Sequence, residues 1–232
     1  MKEKAAAQPN LLAEDNLLSP LPPRPSTAEH AASVLRVQIA EGRLPPGTRL
    51  REEHVAESLA ISRNTVREVF RLLANERLIE HVAYRGVRVR RMGAEDIRAL
   101  YRTRRLVEPL GLRAAIADAE VRAAMRAAID GAAVAAGKND WHTVGTGDIA
   151  FHRALMDGCH SVHLSAMAEQ LLAELRLAFL QLPDPELLHR PYLARNHHLV
   201  DLLEAGDEAA VLAELDDYLT CSERDVMRSI DA

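Results

Sequence analysis

Two groups of residues in this chain have types and spacings able to do chemistry. The first is Ser62-Arg63-Asn64-Thr65-Val66-Arg67. Arg63 and Arg67 lie one helical turn apart, and both forks can reach guanine O6/N7 or phosphate. Asn64 suits adenine, and Thr65 suits a phosphate or a thymine methyl. Arg51 upstream is a further phosphate candidate, and Arg85-Gly86 downstream pairs a cation with a residue that lets backbone approach nucleic acid closely. The second group is Arg104, Glu108, Asp148, His152, Asn196 and Tyr218. At about 100° per residue from Ile97, Arg104 falls near about −20° and Glu108 near about 20°, within the arc of Leu100 and Tyr101. Asp148 and His152 share the stripe of Val144, Phe151 and Leu155, Asn196 sits among Tyr192, Leu199, Val200 and Leu203, and Tyr218 lies with Val211 and Leu215. Polar groups on apolar stripes are costly to bury without partners, so their convergence predicts a polar pocket within a helical bundle. An arginine held there cannot discard its charge. It predicts a small organic acid, or a similarly anionic metabolite, as ligand, with Glu108 as the internal partner when no ligand is bound.

The elements that position the first group are legible in the pattern. Ser26-Thr27 caps a helix whose Ala31, Val34, Leu35 and Ile39 recur at helical spacing until Gly42. After the turn Leu44-Pro45-Pro46-Gly47, a short helix carries Val55, Ala56 and Leu59, the chain breaks at Ala60-Ile61-Ser62, and a second carries Val66, Val69, Phe70 and Leu73. Two helices joined by so short a turn form a helix-turn-helix, and the N-terminal turn of its second helix is the part that meets base edges. Leu78 to Val82 and Val87 to Arg90 alternate as strands around Tyr84-Arg85-Gly86, predicting a β-hairpin wing. Beyond it the pattern predicts six helices, at roughly 94–117, 120–136, 140–158, 162–182, 185–205 and 207–229. The fold class expected is therefore mainly α: a winged helix-turn-helix over residues 26–91 and an all-α bundle over 92–232. The Pro-rich stretch within residues 1–25 predicts a flexible arm.

The net charge of −5 argues against nucleic acid until it is divided along the chain. Residues 26–91 hold 12 basic and 8 acidic side chains, whereas residues 92–232 hold 14 and 23. A basic head on an acidic body fits DNA binding confined to the head. Cys159 and Cys221 make neither a disulfide framework nor a metal-type pair. No apolar run is long enough to span a bilayer and the start lacks the layout of a secretion signal, so a cytoplasmic protein without a membrane partner is expected. An enzyme and a helical interaction protein are the competing classes, but no His-Glu-x-x-His, Gly-x-Ser-x-Gly or phosphate loop is present to support catalysis. One winged helix contacts too little DNA for useful specificity, so a homodimer reading a two-fold operator is expected.

Leu44-Pro45-Pro46-Gly47-Thr48-Arg49-Leu50, Val55-Ala56-Glu57, Ile61 to Val69, Leu72 to Leu78 and Arg85-Gly86 resemble the GntR-family winged helix. The resemblance puts Arg63, Arg67 and Gly86 at DNA-contacting positions, with Asn64 and Thr65 beside them. Ala60 and Arg77 stand where that family usually has glycine. Tyr101 to Leu110, Asp148 to Leu155 and residues 195–207 resemble the FCD ligand-binding domain of the FadR subfamily, which implies a ligand-responsive transcription regulator. Many such domains hold a divalent metal through one Asp and three His. The resemblance carries Asp148 and His152 onto two of these ligands and places Asn196 and Tyr218 at the others, neither a usual strong ligand for zinc or nickel. Weak, sub-stoichiometric or no zinc or nickel is the expectation.

Overall fold

The computed structural model describes residues 26–230, so the arm expected over residues 1–25 lies outside the described residues. The order is α1 (Thr27–Ala40), β1 (Arg49–Leu50), α2 (Glu52–Leu59), α3 (Arg63–Asn75), β2 (Ile79–Val82), β3 (Gly86–Val89), then α4 (Ala94–Ala117), α5 (Ala119–Gly137), α6 (Trp141–Asp157), α7 (Val162–Phe179), α8 (Pro185–Ala205) and α9 (Glu208–Ile230). The fold is mainly α, as expected. The six helices after the wing all form, and α7 stops earlier than its apolar pattern suggested because Leu180 to Asp184 turn away from the axis.

Side-chain caps explain most of the starts. Ser26 and Glu29 make a capping box on α1. Asp118, Asp140, Ser161 and Asp184 each accept from a backbone amide in the first turn of α5, α6, α7 and α8, satisfying donors that helix starts leave free. The β2–β3 hairpin wing forms as expected, and a further short strand joins it: β1 pairs antiparallel with β3, giving the order β1-β3-β2. Gly86 opens β3 at φ 83, and Ala83 to Arg85 form the tip ahead of it. No helix among the described residues is long and apolar enough to cross a membrane.

A continuous apolar core runs from Ala28 in α1 to Val226 in α9. The end of α7 joins its parts. Glu174 to Phe179 are all buried, on every side of the helix, because the winged helix covers one side and the remaining helices the other. Polar contacts reinforce this joint. Arg90, leaving the wing, meets Glu174 at 3.0 Å and also pairs with Asp96, while the Gln181 amide exchanges two hydrogen bonds with the Met92 backbone at 2.8 and 3.1 Å.

Candidate functional site

The helix-turn-helix is set by a turn that strains its backbone. Ala60 ends α2 in the left-handed region at φ 52, where its amide bonds back to Glu57. An L side chain there costs about 1 to 2 kcal/mol relative to the right-handed region. Arg77, after α3, has φ 58. Both are the positions where the sequence departs from glycine, and both adopt the geometry glycine would favour. Ser62 then caps α3, accepting from the Thr65 amide at 3.1 Å while its hydroxyl lies 2.8 Å from the Thr65 hydroxyl. The Thr65 side chain is thus engaged in the cap. Arg63, Asn64 and Arg67 are exposed on the first turns of α3.

Arg63 and Arg67 rest against the preceding helix, with Arg63 3.1 Å from Glu53 and Arg67 3.0 Å from Glu52. Exposed pairs of this kind are worth at most about 1 kcal/mol, so both forks can exchange a carboxylate for DNA. Arg51, Arg85 and Gly86 are exposed as well. Two further exposed residues of the winged helix were not singled out from the sequence. Tyr84 stands fully exposed at the wing tip with φ 61, and Arg49 joins the sheet opposite Arg88. An aromatic in a basic hairpin turn was the available signal for Tyr84. For Arg49 there was none, because β1 is only two residues long.

In the helical body the structure brings all six residues of the second group together. Arg104, Glu108, Asp148, His152, Asn196 and Tyr218 are buried and come from α4, α6, α8 and α9. Close approach of α4 to α6 depends on Gly111, where a methyl group would run into the Leu155 carbonyl. Arg104 Nε donates to Glu108 Oε1 at 2.5 Å, its Nη2 lies 3.1 Å from His152 Nε2, and the guanidinium carbon sits 4.9 Å from the Tyr101 ring centroid. Asp148 Oδ1 accepts from Asn196 Nδ2 at 2.7 Å and from the Tyr218 hydroxyl at 3.2 Å. Asn196 Oδ1 and Glu108 Oε2 have no hydrogen-bond partner among the described residues, although His152 Nδ1 lies 3.1 Å from Glu108 Oε2 outside bonding alignment.

The electrostatics follow from burial and neighbours. Burial is the largest single influence and pushes the Glu108 carboxyl up, but the Arg104 guanidinium and His152 beside it together outweigh it and hold it at about 2. Burial and the Asp148 charge push the Tyr218 phenol well above its usual value, so it stays a donor. The groups mostly satisfy one another. A cavity of only about 10 Å³ remains beside Asp148, His189, Asn196 and Leu193, room for about one water. The expected polar pocket is therefore closed here, with no room for anything larger than a water.

A zinc or nickel ion does not fit this arrangement. Arg104 points a donor at His152 Nε2, so the lone pair a metal would need faces a cation instead, and the other two positions offer an amide and a protonated phenol. Among the described residues no group of three or more His, Cys, Asp or Glu side chains is arranged to hold a metal. His197 faces Asp130 and His198 is exposed, so neither completes the set. Elemental analysis of protein purified without chelator should find zinc and nickel well below one per chain; one tightly held ion per chain would overturn this.

A winged helix-turn-helix with exposed arginines on its recognition helix, packed on a helical body with a buried polar cluster, is the architecture of a ligand-sensing transcription regulator. Residues 27–89 match the model of the bacterial regulatory proteins of the gntR family and residues 99–220 that of the FCD domain. The chain belongs to the GntR family of transcription regulators, in the group that carries an FCD domain. It is similar to a chain from Rhodococcus sp. RHA1 described as a GntR transcriptional regulator, at 37% identity and a TM-score of 0.83, covering 88% of this chain and 99% of that one. The probable D-xylose utilization operon transcriptional repressor of Paenarthrobacter nicotinovorans is 29% identical over 191 residues, 79% of this chain and 81% of that protein. The galactonate operon transcriptional repressor of Escherichia coli K12 is 29% identical over 168 residues, 61% and 71% of the two chains. These relatives and both domains are those of regulators rather than enzymes.

Proposed function

We propose that this protein is a dimeric repressor that binds a two-fold operator through α3 and the wing, and that a small organic acid held at the Arg104 cluster modulates it. One observation carries the ligand reading. The Arg104 guanidinium is 1% exposed, and Glu108 is its carboxylate partner. A ligand carboxylate matches the planar fork of arginine and can replace Glu108 there. Opening the closed cluster costs free energy, and only a ligand with higher affinity for the opened arrangement can shift the equilibrium. A relative named for a galactonate operon, hence for a sugar acid, agrees with this chemistry. For the dimer, Leu106 and Leu110 lie one turn apart on α4 at 70% and 46% exposure, near neither Arg104 nor Glu108 on the helix surface.

The ligand reading is tested by calorimetry with a panel of small carboxylates, their neutral amides and amines, on wild type and on Arg104→Lys. Thermal melts establish that each protein is folded. An anionic ligand should bind tightest and lose at least about tenfold in affinity in the variant, which keeps the charge but not the fork. A neutral or cationic compound as the tightest binder, or undiminished binding by Arg104→Lys, would sink the reading.

A further inference from the structure

Arg176, on α7, is a buried arginine whose partners are not carboxylates. It is 7% exposed, and burial pushes its pKa down to about 10. Its Nε donates to the carbonyl of Ala40, the last residue of α1, at 2.9 Å. Its Nη2 reaches the His142 ring at 3.1 Å, the His142 carbonyl at 3.3 Å and the Thr146 hydroxyl at 3.4 Å, all on α6. The last turn of α1 holds no basic residue. Helix ends carry partial negative charge and favour a cation nearby, so α7 supplies to the DNA-binding head the cation that α1 itself lacks. The chain leaving α1 is wedged into the same joint, since Gly42 packs beside Leu180 and His142.

Arg176 also touches the polar cluster at one remove. Gly145 lies on α6 one turn before Asp148, and a methyl group there would meet Arg176 Nη1 at 2.5 Å and His189 Nε2 at 2.6 Å. His189, 3% exposed on α8, lines the small cavity that also contains Asp148 and Asn196. Asp148 is moreover the charge that favours the ionised form of Arg176. A shift of α6 or α8 that opens the cluster must therefore move the donors and acceptors around Arg176, and there is no slack at Gly145 to absorb it.

We infer that Arg176 is the positioning residue that relays the state of the Asp148–His152 cluster to the C-terminal end of α1, and so to the DNA-binding head. The inference rests on that cluster being the effector site. Its test uses a substitution rather than a ligand as the perturbation, so it stands or falls separately from the calorimetry. Hydrogen exchange is measured on full-length protein at the amides of Glu41 and Gly42, which bond to Val37 and Ile39 at the end of α1. Wild type, Arg176→Met, Asp148→Asn and the double variant form a cycle. Arg176→Met should speed exchange at both amides by about tenfold or more. Asp148→Asn should speed it severalfold when Arg176 is present and leave it unchanged in the Arg176→Met background. An equal effect of Asp148→Asn in both backgrounds, no effect in either, or unaltered exchange in Arg176→Met would overturn the inference. Should Arg176→Met fail to fold, Arg176→Lys takes its place under the same criteria, since it keeps the charge but cannot bridge both helices.

Discussion

A Glu108→Gln variant is expected to be less stable than wild type by about 3 kcal/mol near neutral pH, with the gap shrinking to about half or less by pH 3. The cause is the coupling to Arg104 and His152, which together outweigh burial and hold the carboxyl at about 2 against an ordinary value of 4.5. A carboxyl with a depressed pKa contributes stability above its unfolded value and loses it as pH falls through the folded one. The window is thus pH 4.5 down to about 2. Glutamine mimics the protonated form, removes that titration and leaves the Arg104 charge buried beside a neutral amide, which is the costly way to break a buried pair. Urea midpoints for both proteins across this range measure the gap. A gap independent of pH, or one that widens on acidification, would show that Glu108 does not carry this coupling.

On the DNA side, Arg63→Ala and Arg67→Ala should each weaken binding to an operator selected from genomic DNA by about 1 to 3 kcal/mol if the fork makes a bidentate base contact. A phosphate contact instead weakens all sequences alike and lowers the salt slope by about one. The structure adds an opposite expectation. Glu52 and Glu53 hold these arginines in the absence of DNA and would face phosphates in its presence, so Glu52→Gln should tighten binding. Wild-type affinity in both arginine variants, measured by titration at several salt concentrations, would remove α3 from the role of recognition helix.

Local features of the fold were legible because each is written within one element. The stripe Val66, Val69, Phe70 and Leu73 gave α3, and all four are buried. Projection around each axis turned Arg104, Glu108, Asn196 and Tyr218 inward, and all four are buried. Their partners could not be read this way, because the Asp148 to Asn196 bond joins residues on α6 and α8 whose distance no periodicity sets. The same limit hid β1, whose partner Arg88 is far along the chain, and Arg176, whose ligands come from α1 and α6. Arg105 and Arg113 lie on the polar side of α4, where Arg105 pairs with Glu223 of α9 at 2.7 Å and Arg113 with Glu208 at 3.1 Å, cross-helix partners that periodicity within α4 does not name.

The six consecutive buried residues at the end of α7 bear on how this protein comes apart. Where a core is shared, neither portion can melt without exposing the apolar face of the other, so head and body are expected to unfold together, as coincident melting of probes in the two parts would show. On the proposed function, the free energy released by a ligand settling among α4, α6, α8 and α9 would then defend the DNA-reading helix against unfolding too, although no ligand atom would come near it.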